Sequence, residues 1–324
     1  MLSLLLSKPL PAALQGRQQN PINGSDSESY AMAKIILACR GEGHWGSREE
    51  DNSKIDMAFS AKHPWYEGER LVILSQVKSG PTYGEPLKSG FKLKGVAKKE
   101  AIKTSHEICL AWVDRDANEI YWAYVHPTTT TRPQEYGAYH RVTPAMIYDL
   151  ARCANHKRAG NTGGRGIIIS QRTGASLAAR RKLVHAAYLA FGRILCPSIG
   201  EIELTRLGWR HMLRKSRQRS NKAASMNLIP HLKKLLSQSP SQHAITEHRT
   251  FCSNGYAYRV CEHLMKYDQV KVLDASKSSA LDAVAHIRVV EEIRYPENWE
   301  CNVMLSQLVE RRVVLRSAYL KNKM

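Results

Sequence analysis

An acid, an amide and an ammonium group stand at a spacing that suits phosphodiester chemistry. Gln76 and Lys78 are two positions apart in the apolar stretch 70–79, so in a strand their side chains share one face. Asp56, in the preceding stretch 54–60, faces that edge if the two strands pair. Oxygen ligands of this kind hold Mg²⁺, which activates a bound water, while a lysine neutralises charge developing on phosphate. The alternative is an Asp56–Lys78 ion pair on an edge strand, worth about 0–1 kcal/mol.

The surrounding periodicity predicts a compact α/β unit that would position these residues. Residues 28–39 have helical spacing, with an N-cap at Ser25, Asp26 or Ser27. The polar stretch DRDAN between two aromatic segments predicts a hairpin. The predicted strands are 54–60, 70–79, 108–113 and 119–125, with a helix within 94–106. The predicted order is therefore helix, strand, strand, helix, strand, strand.

Element order and residue types together resemble the PD-(D/E)xK nuclease superfamily, which has an αβββαβ core. Asp56 followed by Gln76-Val77-Lys78-Ser79-Gly80 is similar to the D…(D/E/Q)-x-K pattern of an uncharacterised, restriction-like prokaryotic branch. That branch also has a glutamate near the start of its first helix and a tyrosine-tryptophan pair in a later hairpin. Glu28 and Tyr121-Trp122 occupy those positions. The resemblance covers residues 26–126 and implies a restriction-endonuclease-like mixed sheet flanked by helices.

The same resemblance implies a function and a set of site residues. Asp56, Gln76, Lys78 and Glu28 would be catalytic, and Asp56, Gln76 and Glu28 would hold Mg²⁺, for which Mn²⁺ substitutes. Gln76 replaces the more usual acid, so Glu28 and the backbone carbonyl of Val77 would complete the metal shell. The implied activity is hydrolysis of DNA phosphodiester bonds in prokaryotic antiviral defence. Restriction-like sites often work in pairs, which is compatible with a homodimer. The alternative is a nucleic-acid-binding module that has lost catalysis.

Positive charge is concentrated in one part of the chain. Residues 150–246 contain 18 Lys and Arg against 2 Asp and Glu, an excess of 16 out of the net +19. Apolar residues are interleaved with these charges, so the block should fold and present a surface suited to a polyanion. We expect nucleic acid, DNA rather than RNA, and no membrane surface. A helix 206–222 would carry the contacts. The predicted binding residues are Arg206, Arg210, His211, Arg214, Lys215, Arg217 and Arg219.

The C-terminal half also resembles the metal-independent ribonucleases of the barnase–EndoU–colicin–RelE group. The resemblance rests on the GWRHM helix and on the later strand that ends in LRSAY. It implies a ribonuclease toxin in which His211, Arg214, Arg316 and Ser317 activate a ribose hydroxyl and stabilise the phosphorane. The alternative is a histidine that packs or contacts phosphate.

The remaining features predict the domain organisation. Seven scattered cysteines without a C-x-x-C pair favour reduced thiols in a cytoplasm. The predicted domains are a disordered leader (1–25), the nuclease-like domain (26–126), a loop and helix linker (127–175) and a basic α+β domain with a small antiparallel sheet (176–324). The last domain is expected to contain helices 176–195, 206–222 and 225–237 and strands 201–204, 286–295, 302–309 and 313–319.

Overall fold

The structure is a computed structural model and describes residues 19–46, 55–160, 166–170, 176–273 and 280–322. The chain divides into two units: Met1–Lys62 with Arg70–Met146, and His63–Glu69 with Ile147–Met324. Both units combine mixed sheets with helices, so the predicted α/β class is confirmed. Among the described residues, no helix is long and apolar enough to cross a membrane.

The first unit is built on a five-stranded mixed sheet and a smaller three-stranded sheet. Its strands are β1 (Glu42–Trp45), β2 (Met57–Lys62), β3 (Arg70–Ser79), β4 (Gly84–Leu87), β5 (Gly90–Leu93), β6 (Ile108–Asp114), β7 (Glu119–Val125) and β8 (Gln134–Gly137). The larger sheet has the order β1-β2-β3-β6-β7, and only β3 and β6 are parallel. A parallel pair needs a crossover, and this one contains the helix Gly95–Ala101. The predicted elements are therefore found in the predicted order, with β1 added before β2 and the hairpin β4–β5 added between β3 and the crossover helix.

The N-terminal helix of the first unit, α1 (Gln19–Cys39), packs against β3. Ala31, Ile35 and Ala38 are fully buried and recur at helical spacing, which explains the packed face. The helix begins earlier than expected, so the predicted N-cap at 25–27 is wrong, and residues 19–25, which were predicted to be disordered, are helical. The rest of the predicted leader lies outside the described residues. The crossover helix Gly95–Ala101 is α2.

The second unit contains a seven-stranded sheet covered by helices. Its strands are β9 (Ile167–Ser170), β10 (Arg193–Cys196), β11 (Gly200–Glu203), β12 (Gln242–Ser253), β13 (Tyr256–Leu273), β14 (Ala280–Pro296) and β15 (Glu310–Asn322). Its helices are α3 (Met146–Gly160), α4 (Leu177–Phe191), α5 (Arg206–Leu213), α6 (Arg219–Leu228), α7 (Leu232–Leu236) and α8 (Leu305–Leu308). The pairs β9/β13 and β11/β15 are parallel, so the sheet is larger and more mixed than predicted.

Two further predictions for the second half are wrong. Residues 302–309 form a turn and α8, not a strand, because their short apolar run is bounded by polar residues that favour turns. The predicted linker 127–175 contains β8 and α3. Ile147 and Leu150 of α3 are buried, so this helix is part of the packed core and not a linker.

Candidate active site in the first unit

Asp56 is fixed to β3 by two hydrogen bonds. Its backbone N–H donates to the Ser75 carbonyl at 3.0 Å, and its Oδ2 accepts from the Val77 N–H at 2.6 Å. Met57 is in register with Ser75, so the next step along the antiparallel pair places Asp56 opposite Gln76. The structure therefore brings the predicted acid and the predicted amide together.

Gln76 is fully buried, yet its amide oxygen and nitrogen have no hydrogen-bond partner among the described residues. Its register neighbour on β6 is Leu110, which belongs to an apolar cluster. A buried polar group without a partner costs roughly 1–3 kcal/mol. In native cores such a group is satisfied by an ordered water, an ion or a ligand, or has a functional role.

Lys78 stands on the same face of β3 as Gln76, because side chains alternate along a strand. Its Nζ lies 5.8 Å from the centroid of the Tyr83 ring, and no carboxylate pairs with it in the part of the chain that the structure describes. The Asp56–Lys78 ion pair that the sequence also allowed is therefore not formed. An ammonium group without a counter-charge is suited to an anionic ligand.

A cleft of about 360 Å³ opens at the carboxyl end of β3. Glu28 and Lys78 both line it, so the structure brings these two predicted residues together as well. Asp56 and Gln76 are not part of the lining, but Asp56 is linked to it through Val77. The lining residues are Gly24, Ser27, Glu28, Val77, Lys78, Ser79, Gly80, Pro81, Thr82, Tyr83 and Arg115.

Arg115 is a member of this cleft that sequence reasoning missed. It follows β6 directly, and parallel strands end at the same edge of a sheet, so the turn after β6 meets the end of β3. A Cβ atom at Gly80 would lie 2.5 Å from Nη2 of Arg115, and Gly80 has a φ of +79°. Asp114 holds the turn, because its Oδ1 accepts from the backbone N–H of Asp116 at 3.2 Å. The available signal was the arginine in DRDAN, combined with a crossover that makes β3 and β6 parallel.

The basic region of the second unit differs from the predicted helix. α5 ends at Leu213, and Arg214 adopts extended backbone, so the continuous helix 206–222 is wrong. Arg217 is half-buried and donates to the Met212 carbonyl at 2.9 Å and to Ser225 Oγ at 3.3 Å. Arg217 therefore provides a hydrogen-bond donor for a carbonyl at the C-terminus of α5, and it does not lie on a continuation of that helix. The exposed members of the predicted set are Arg206, Arg210, Arg214, Lys215 and Arg219.

His211 lies among arginines that come from three elements. Burial and then the charges of Arg316 and Arg214 hold the pKa of His211 below its usual value. Two features position Arg316. It is the extra residue of a bulge in β15. In addition, α5 packs closely on β15 at Gly208, because a Cβ atom at that position would collide with the Leu315 carbonyl. The predicted candidate Ser317 is buried.

A second group of potential metal ligands lies inside the second unit. Cys261, His263 and Glu291 are buried and offer ligand atoms within 4.8 Å of one another. However, Glu291 accepts from the Arg311 Nε at 2.8 Å and lies 3.4 Å from a guanidinium nitrogen of Arg152. Burial raises the pKa of the Cys261 thiol to about 11, so it is not a thiolate at neutral pH. These residues form an ion network and do not fit a cation.

Comparison of the chain with protein-family models, with curated proteins and with solved structures finds no match.

Proposed function

We propose that the first unit is a metal-dependent nuclease that hydrolyses DNA phosphodiester bonds, with its active site at the carboxyl ends of β3 and β6. The observation that carries the proposal is Gln76, a fully buried amide without a hydrogen-bond partner among the described residues. It stands opposite Asp56 and on the same strand face as Lys78. This position is also where open α/β sheets bind their ligands.

The oxygen ligands that these residues offer are of the kind that suits a magnesium ion. Asp56 offers a carboxylate, Gln76 an amide oxygen that no described protein group occupies, and Glu28 a carboxylate on the wall of the adjoining cleft. Mg²⁺ prefers oxygen ligands and keeps several waters, so a site with few protein ligands suits it. When bound, the ion would lower the pKa of a coordinated water and polarise the phosphate.

The protein's own groups have distinct roles in this proposal. The Val77 N–H holds Asp56 by a 2.6 Å hydrogen bond, so the carboxylate is oriented before substrate arrives. Lys78 would stabilise the negative charge that develops on the phosphate in the transition state. Arg115, with no carboxylate partner within the described ranges, would bind a phosphate oxygen from the opposite side of the cleft.

Cleavage of supercoiled plasmid and linear duplex DNA, in Mg²⁺ and in EDTA, tests the proposal. We expect Mg²⁺-dependent cleavage that falls by about 10²-fold or more in Lys78→Ala and in Asp56→Asn. Lys88→Ala is the matched control, since Lys88 is an exposed lysine outside the cleft lining. Unchanged cleavage in Lys78→Ala would overturn the assignment. Salt-sensitive binding without cleavage, in any divalent cation, would instead favour a binding module that has lost catalysis.

A second candidate function rests on His211. Its lowered pKa keeps it neutral at physiological pH while arginines surround it, which is the state needed to accept a proton from a ribose hydroxyl. A metal-independent ribonuclease in the second unit would cleave single-stranded RNA in EDTA, lose that activity in His211→Gln, and leave 2′-deoxy substrate intact. His44→Gln, at an exposed histidine of the first unit, is the control. Cleavage that survives His211→Gln would exclude this role.

A further inference from the structure

A groove between α4 and α5 forms a concave surface in the second unit. Its volume is about 580 Å³, within the range of about 300–1,000 Å³ that small ligands occupy. Its lining combines two cations with two aromatic rings. The lining residues are Ala178, Arg181, Lys182, His185 and Trp209.

The aromatic wall of the groove is held rigidly. The rings of His185 and Trp209 lie 4.5 Å apart between centroids, and Trp209 also contacts Tyr188 at 5.4 Å. The Tyr188 hydroxyl donates to the Thr205 carbonyl at 2.9 Å, which ties α4 to the residue that caps α5. The wall is therefore already formed before a ligand arrives, so little ordering entropy opposes binding.

The two cations have no counter-charge within the described part of the chain. Arg181 and Lys182 are exposed, and neither pairs with a carboxylate among the described residues. They belong to the block 150–246, in which 18 basic residues face only 2 acids. Neutralisation therefore has to come from an anionic ligand or from solvent ions.

We propose that this groove binds one nucleotide of single-stranded nucleic acid, with its base stacked on the His185 ring, which the buried Trp209 supports from behind, and its phosphate bound by Arg181 and Lys182. Stacking on aromatic rings combined with cations along the backbone is the usual way in which proteins hold single strands. A duplex keeps its bases stacked on one another, so it can offer the groove only phosphates. The selectivity for single strands comes from the rings. This binding site is separate from the proposed nuclease site.

The test measures binding in EDTA, where the result does not depend on cleavage. The probe is a fluorescein-labelled oligothymidylate of about 12 nucleotides, within the range of single-strand site sizes of about 4–16. A duplex of equal length is the comparison ligand, and fluorescence anisotropy is recorded over a range of salt concentrations. Arg181→Ala/Lys182→Ala has a matched control in Lys233→Ala/Lys234→Ala, an adjacent pair of exposed cations on α7.

We expect His185→Ala to weaken single-strand binding about fivefold or more, as removal of one stacking platform does, and His185→Tyr to restore it. The Arg181/Lys182 double variant should lower the magnitude of the salt slope by about 0.7 for each phosphate that it no longer neutralises, and the control should not. Equal effects of the two double variants, or unchanged single-strand binding in His185→Ala, would overturn the proposal. The proposal would also be overturned if an oligoglutamate peptide bound as tightly as the oligonucleotide and lost the same affinity in His185→Ala.

Discussion

Replacement of Gln76 tests the reasoning about the first unit without an activity assay. Gln76→Met keeps an unbranched side chain of similar length and removes both polar atoms that lack partners among the described residues. The buried amide costs roughly 1–3 kcal/mol when no ligand satisfies it. In EDTA we therefore expect Gln76→Met to raise the free energy of unfolding of the first unit by about 1–3 kcal/mol. The melting temperature should rise by roughly 2–4 °C for each kcal/mol.

Magnesium should reverse this order of stability. A ligand at 100 times its Kd stabilises the folded state by about 2.7 kcal/mol, and each tenfold loss of affinity removes about 1.4 kcal/mol of that gain. Wild type should therefore be stabilised by Mg²⁺, while Gln76→Met, which lacks the amide oxygen, should respond far less. Thermal unfolding followed by circular dichroism, with and without Mg²⁺, measures both effects.

Ser75 provides the control, because it is the preceding residue on β3 and its Oγ is also buried without a partner in the described ranges. Its side chain points to the opposite face of the sheet. Ser75→Ala should therefore leave the response to Mg²⁺ unchanged. The reasoning is refuted if Gln76→Met destabilises the protein by more than about 1 kcal/mol in EDTA, or if it keeps the full response to Mg²⁺.

Three further outcomes are expected from the structure. Gly80→Ala and Gly68→Ala should each lower the free energy of unfolding in urea by about 1–2 kcal/mol, because both glycines have positive φ. Only Gly80→Ala should also displace Arg115 and weaken DNA binding. Equal DNA binding by both variants would contradict this. Asp149→Ala should destabilise the protein by about 3 kcal/mol, since the buried Arg152 and Arg259 then keep only their longer contacts of 3.4 and 3.5 Å to Glu291. A loss below about 1 kcal/mol in the same assay would show that the network is not needed. Burial holds the pKa of His263 below its usual value, so the unfolded state binds more protons than the folded state. The free energy of unfolding should therefore fall as the pH drops from about 7.5 to 5.5, by up to about 1.4 kcal/mol per pH unit for this group. Titrated unfolding of His263→Gln should give a shallower slope, and an unchanged slope would assign the effect elsewhere.

Local signals in the sequence were sufficient for β2, β3, β6 and β7 of the first unit, but not for its shorter strands β1, β4, β5 and β8. The predicted strand 70–79 matches β3 at both ends, because an apolar run with β-branched residues stops at a Ser-Gly turn. The hairpin around DRDAN also forms as predicted. A comparable signal was overlooked in the second unit: Asn254 and Gly255, both with positive φ, form the turn between β12 and β13, and Asn-Gly is the strongest short hairpin signal.

Other errors followed from contacts that sequence spacing does not contain. The predicted set of nucleic-acid-binding residues assumed that one helix runs through 206–222, but the chain leaves the helix at Arg214, and Arg217 donates to a carbonyl at the end of α5. Arg217 bonds to Met212 and Ser225, and Ser225 in turn donates to the carbonyl of Ala318 on β15 at 2.7 Å, a partner distant in sequence that the spacing does not reveal. Propensity is a weak guide where such tertiary partners decide.

The sequence by itself indicated Glu28, Asp56, Gln76 and Lys78 as candidate residues. It also determined that Gln76 and Lys78 lie on one face, because the alternation of side chains along β3 depends only on local geometry. The tertiary structure decided what surrounds them. Pairing of β2 with β3 placed Asp56 against Val77, and the parallel alignment of β3 with β6 brought Arg115 to the cleft that Lys78 lines. It also left the Gln76 amide buried without a partner among the described residues. These features depend on strands distant in sequence, so no local pattern specifies them, and they carry the proposed chemistry.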